Sequence, residues 1–128
     1  MNEGIRVGLI GEAYTTVSEA ETARILGSGS LDVYATPAMI SLMEQAAVTA
    51  VDSALESTHA SVGIEINIRH LAATPIGEQI SAMAEITHVD GKRVRLEVRA
   101  WDEQEMIGEG SHTRYIIDID QFLERLER

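Results

Sequence analysis

The sequence contains no cysteine. That excludes a disulfide framework, thiolate catalysis and any zinc or iron–sulfur site built on cysteine ligands. Proline occurs only twice and aromatic residues make up 4% of the chain, so a core has to be assembled from Ala, Ile, Val, Leu and Met. Basic groups are scarce, with 10 Lys and Arg against 21 Asp and Glu, for a net charge of −11. A field of that sign repels nucleic acid and anionic membranes, and neither is expected as a partner. No apolar run approaches the ~18 residues of a membrane span. The N-terminal residues lack the basic and apolar regions of a signal peptide, so the default expectation is the cytoplasm. The 128 residues read as one domain over 1–128, with no linker or internal repeat.

What the chain does have is a change of period. Residues 5–13 read as a first strand, and 15–26 carry no clear pattern. Thr36-Pro37 opens a helix, because Thr is a good N-cap and Pro suits the first helical position. The helix runs on to about Leu55 through strong formers, a length of about 28 Å. The period then falls to two. In 62–72, Val62, Ile64, Ile66, Ile68, His70 and Ala72 share one face, and Gly63, Glu65, Asn67, Arg69 and Leu71 the other. Further strands are expected over 79–89, 93–101 and 107–117, with Asp90-Gly91 as a tight hairpin turn, and a short helix over 120–127. One long helix and five long antiparallel strands joined by hairpins make an α+β layout. Strands of this length twist strongly and wrap the helix on most sides, which is the hotdog fold. A hotdog this small is expected to pair with a second copy as a homodimer.

Two residues break the pattern. On a helical wheel Glu44 falls in the apolar stripe, near Ile40, Val48, Val51 and Leu55. A charge there is either a structural ion pair or a functional group. His70 shares a face with aliphatic residues and points toward whatever the sheet covers. It is either a buried histidine bonded to backbone or half of a site with Glu44. Thr36 has a plain role as helix cap, yet its position also puts a hydroxyl beside the outward-pointing N–H groups of the helix end. The other histidines, His59, His88 and His112, show no metal-ligand spacing, so no metal is expected. Arg93, Arg95 and Arg99 lie on one strand face, either as a solvated surface or as an anion platform.

Several segments resemble the fluoroacetyl-CoA-thioesterase-like family. They are Val33-Tyr34-Ala35-Thr36-Pro37, Met43-Glu44-Gln45-Ala46, Val62-Gly63 and Asn67-Ile68-Arg69-His70-Leu71-Ala72-Ala73-Thr74-Pro75. Asp90-Gly91-Lys92-Arg93 and Ile107-Gly108-Glu109-Gly110 with Arg114 extend the match. The resemblance implies a hotdog homodimer that hydrolyses an acyl-CoA thioester with a Thr, Glu, His triad, here Thr36, Glu44 and His70. It implies no cofactor beyond the coenzyme A of the substrate. It places a carbonyl-proximal glycine at Gly63 and a late arginine at Arg114. Arg69, Arg114 and the stretch from Lys92 to Arg95 are candidates for the coenzyme A phosphates. The sequence leaves open whether Glu44 attacks the carbonyl or activates water. One departure stands out. Fluoroacetyl preference in the family is linked to phenylalanines in a lid, and this chain's single phenylalanine is Phe122. The segment from Leu26 to Tyr34 offers only Tyr34 as an aromatic. The alternatives are a non-catalytic acyl-CoA binder, a purely structural dimer and an enoyl-CoA hydratase, although the Asp-x-Asn-Pro-x-His run resembling one type of the last is missing.

Overall fold

The computed structural model describes residues 4–128. Strand β1 (Ile10–Thr16) is followed by a 3-10 turn (Glu19–Glu21), a short helix α1 (Ala23–Leu26) and the long helix α2 (Thr36–Asp52). Four strands then follow, β2 (His59–His70), β3 (Gln79–Asp90), β4 (Arg93–Trp101) and β5 (Met106–Asp118), before the terminal helix α3 (Ile119–Glu124). All strand pairs are antiparallel, in the order β1-β3-β4-β5-β2.

This is the expected α+β hotdog architecture, with three differences. The first strand sits later than residues 5–13. The segment without a clear pattern supplies the end of β1 and the two short helical turns. The second difference is topological, since β2 pairs with β5 rather than forming a hairpin with β3. Local periodicity carries no information on which strands pair, and the link from 71 to 78 takes the chain to the other side of the sheet. The expected hairpins do join β3 to β4 through Gly91 and Lys92, and β4 to β5. In the latter turn the Asp102 carboxylate accepts from the N–H groups of Gln104 and Glu105.

The third difference concerns α2. Met39, Leu42, Met43, Ala46, Ala47, Ala50 and Val51 are buried against the sheet. Alanines let the helix come close, and at Gly11 of β1 a Cβ would lie 2.1 Å from the Ala46 carbonyl oxygen. Only glycine fits there. Opposite the helix stand Ile80, Ala82, Ile86, Leu96 and Val98, all essentially inaccessible. Each large aliphatic side chain buried this way contributes about 1.5–3 kcal/mol. The sheet does not cover the helix on most sides, however. Ser41, Gln45 and Val48 are exposed, and Ile40 and Glu44 only half-buried. The wheel grouped Glu44 correctly with Ile40 and Val48, but this chain's own strands leave that strip open.

Candidate active site

Helix α2 begins at Thr36, the expected cap, one residue earlier than expected. Ala35 is the N-cap and makes no side-chain capping bond, so Thr36 and Pro37 are the first two helical residues. The Thr36 hydroxyl is therefore not used on the helix. It lies 2.7 Å from Nδ1 of His70. His70 is half-buried, as alternation predicted, at the far end of β2. Burial lowers its pKa below the ordinary 6.5, partly opposed by the backbone of Ala72. The ring is thus neutral at neutral pH. Its Nε2 is buried and has no hydrogen-bond partner among the described residues. Thr36 and His70 share the wall of a cavity of about 350 Å3 with Ala23, Val33, Tyr34 and Ala72.

Further along α2, Glu44 meets a different set of groups. Its Oε2 lies 3.9 Å from Nη1 of Arg114, and the Glu44 side chain remains 44% exposed. The helix-facing side of Gly63 is directly against this carboxylate, where a Cβ would lie 2.9 Å from Oε2 and 3.1 Å from Cε1 of His112. Sequence alternation put Gly63 on the face opposite His70. The structure corrects this, because a register shift between Gly63 and Glu65 leaves Ile64 as an extra residue in β2. A bulge of this kind reverses the phase of alternation. Ser61 and Gly63 before it, and Ile68 and His70 after it, all face the helix side of the sheet.

Arg114 is 6% exposed. Its Nε donates to Ser61 Oγ at 2.7 Å and its Nη2 to the Ser61 carbonyl at 2.9 Å. Ser61 in turn donates to the Asp52 carboxylate at the end of α2. Burial lowers the Arg114 pKa, while Asp52 and Glu44 oppose that effect. Nη1 lies 3.1 Å from Nε2 of His112, whose Nδ1 lies 2.8 Å from the Glu65 carbonyl. A guanidinium only donates, so His112 must accept at Nε2 and carry its proton on Nδ1. Burial, and secondarily the Arg114 charge, lowers the His112 pKa. Sequence reasoning missed Ser61, Asp52 and His112 as parts of this network. For Ser61 the signal was its phase with Gly63, which only the bulge reveals.

Three contacts therefore run down α2 and β2 in opposite sequence order, Thr36 with His70, Glu44 with Gly63 and Asp52 with Ser61. Gly63 and His70 are roughly 20 Å apart along an extended strand, and Thr36 and Glu44 about 12 Å apart along the helix. Within one chain Glu44 is not brought to the Thr36–His70 pair. Arg69 lies on the outer sheet face, 2.8 Å from Glu109, with its side chain 72% exposed. It borders a groove of about 730 Å3 with Arg95 and Arg99, but Glu97 and Glu109 line the same groove. Arg93 is not among its lining residues. Among the described residues no group of three His, Asp or Glu side chains is placed to hold a metal, and no helix is long and apolar enough to cross a membrane.

A curled five-stranded antiparallel sheet packed on one long helix is the fold of the hotdog thioesterases. A model of the fluoroacetyl-CoA-specific thioesterase family matches residues 17–120. The fluoroacetyl-CoA thioesterase of Streptantibioticus cattleyicolor is 37% identical over 95% of this chain and 92% of its own length. A crystal structure of a phenylalanine-to-alanine variant of a fluoroacetyl-CoA-specific thioesterase, in complex with fluoroacetate and CoA, superposes with a TM-score of 0.85. It is 35% identical, covering 92% of this chain and 99% of that one. A thioesterase superfamily member from Thermus thermophilus gives a TM-score of 0.86 at 28% identity, over 96% and 93% of the two chains. The chain belongs to the fluoroacetyl-CoA-specific thioesterase family and is an acyl-CoA thioesterase.

Proposed function

We propose that the protein hydrolyses a short acyl-CoA thioester at a site shared by two copies of the chain, with Thr36 and His70 from one copy and Glu44 from the other. The observation that carries this reading is the Thr36–His70 hydrogen bond at the N-terminus of α2, on the wall of a cavity of acyl size. The neutral His70 ring accepts the Thr36 proton at Nδ1 and carries its own on Nε2. The backbone N–H groups at the helix end offer donors to the developing oxyanion. The carboxylate of Glu44 supplies the base or nucleophile, held in place by Arg114 and the missing side chain of Gly63. With Glu44 as base, the proton it takes from the attacking water passes to the departing thiolate, and His70 stays neutral throughout.

Strand β2 is an edge of the sheet, with one side unpaired. Gly63 and His70 are equidistant from the midpoint between Ile66 and Asn67. Antiparallel pairing of two β2 edges about that midpoint would set Gly63 of one copy across from His70 of the other, and bring Glu44 with it. It would also cover the open strip of α2 at Ile40 and Val48. A homodimer joined this way completes two sites. Arg69, outside and adjacent in sequence to His70, is a surface contact for the coenzyme A phosphates. Arg114, being engaged inside, instead positions Glu44.

Thiol release from acetyl-, haloacetyl-, propionyl-, branched and aryl-CoA tests the reaction. Turnover of short acyl-CoAs is expected, together with a loss of about a thousandfold in a folded Glu44→Ala variant. Binding of these thioesters without turnover, or an active Glu44→Ala variant, would contradict the assignment.

A further inference from the structure

His112 is 1% exposed, and its ring meets both residues that border the Glu44 carboxylate. Its Nε2 lies 3.1 Å from Nη1 of Arg114, and its Cε1 lies 3.1 Å from where a Cβ on Gly63 would stand.

Three bonds hold the Arg114 guanidinium, and they are not equivalent. Nε and Nη2 both donate to Ser61, to its hydroxyl at 2.7 Å and its carbonyl at 2.9 Å. Two bonds to one residue make a pivot about which the planar group can still tilt. The third bond runs from Nη1 to His112, and Nη1 is the nitrogen that stands 3.9 Å from Oε2 of Glu44. His112 therefore holds the end of the fork that faces the carboxylate.

That role needs a bare Nε2. A guanidinium only donates, so a proton on Nε2 would set two donors against each other. The ring's proton is kept instead on Nδ1, where it is donated to the Glu65 carbonyl at 2.8 Å. Glu65 flanks the bulge at Ile64, so the same bond ties the ring to the backbone that turns Gly63 toward α2. Burial, with the Arg114 charge, keeps the ring in its neutral form.

We infer that His112 is a positioning residue for the thioesterase reaction, which accepts from Nη1 of Arg114 and so fixes the guanidinium edge that holds the Glu44 carboxylate. This rests on the reading of Glu44 as base or nucleophile. His112 does not touch the substrate in that reading and acts only on the step that Glu44 performs. Its loss therefore lowers kcat and leaves KM nearly unchanged.

Asparagine and glutamine separate the two bonds of the ring. The amide N–H of Asn overlies Nδ1 and still donates to Glu65, but nothing then accepts from Arg114. The amide oxygen of Gln reaches the place of Nε2 and still accepts from Arg114, while the Glu65 bond is lost. With acetyl- and haloacetyl-CoA, kcat of His112→Asn is expected to fall by about ten- to a hundredfold, with KM within about twofold. His112→Gln is expected to recover kcat to within about threefold of wild type, even where it melts lower. Wild-type kcat in His112→Asn, or a His112→Gln no faster than His112→Asn, would overturn the inference. A ring that only filled space would give a kcat that follows melting temperature in both variants, which overturns it equally. Should neither variant fold, nitrogen NMR of the histidine-labelled wild-type protein decides. His112 is expected to carry its proton on Nδ1, and a proton on Nε2 would overturn the inference. Full activity in Glu44→Ala would overturn the reading of Glu44, and this inference with it. An inactive Glu44→Ala beside a fully active His112→Asn overturns this inference alone.

Discussion

The two ends of the α2–β2 contact are built on opposite terms. At the Glu44 end the buried polar groups Arg114, Ser61 and His112 are all hydrogen-bonded, while the half-exposed Glu44 carboxylate has a 3.9 Å contact to Arg114. Arg114 is bonded to Ser61 and His112, Ser61 to Asp52 and His112 to the Glu65 carbonyl. At the Thr36 end one hydrogen bond joins two neutral groups, and two buried polar atoms are left over. A saturated network fixes the position of a group. On the proposed reading, the Glu44 end places the carboxylate and the Thr36 end receives the substrate.

The comparison breaks most visibly at Gly63. In Gly63→Ala the added methyl would sit 2.9 Å from the Glu44 carboxylate and 3.1 Å from His112, a ring with no room to retreat. Displacing the carboxylate by a fraction of an ångström to about 1 Å is expected to cost up to about a hundredfold in kcat, with the fold retained. Steady-state kinetics beside a circular dichroism spectrum would check this. Undiminished kcat would show that Gly63 does not set the position of Glu44.

A smaller effect sharpens the contrast in protonation. His70 and His112 are both held below the ordinary 6.5 when folded, chiefly by burial, and return to it when unfolded. Between the lowered values and 6.5 the unfolded chain binds more protons. Stability is therefore complete above about pH 6.5 and declines as pH falls through the lowered values. Thermal melts from pH 8 to about pH 5 should show this decline, and His70→Asn should shallow it. An unchanged slope in that variant would place the acid sensitivity elsewhere.

Much of this was legible in the sequence. Pro37 followed by Ala, Met and Leu marked the helix, because propensity is local, although the cap is Ala35 and not Thr36. The hairpin at Asp90-Gly91 was legible for the same reason. His70 was found because a charge-bearing ring broke an aliphatic alternation, and Thr36 and Glu44 because each stood out on the helix. The bulge at Ile64 was hidden, since a run alternating from Val62 to Ala72 looks the same whether or not its partner strand keeps step. That one residue moved Gly63 to the face of His70. The role of Arg114 was hidden too, because its partners lie on β2 and at the end of α2, and only the pairing of β2 with β5 brings them together.

The shared site is tested most directly by mixing two inactive variants. Glu44→Ala and His70→Ala chains would be purified separately, combined in equal amounts under conditions that exchange subunits, and assayed for thiol release. If Glu44 serves the Thr36–His70 pair of a second copy, mixed dimers hold one intact site each, and about a quarter of the wild-type activity returns. If the three residues act within one chain, every mixed dimer carries two broken sites. Activity that stays at the level of the separate variants, with exchange demonstrated, would contradict the account.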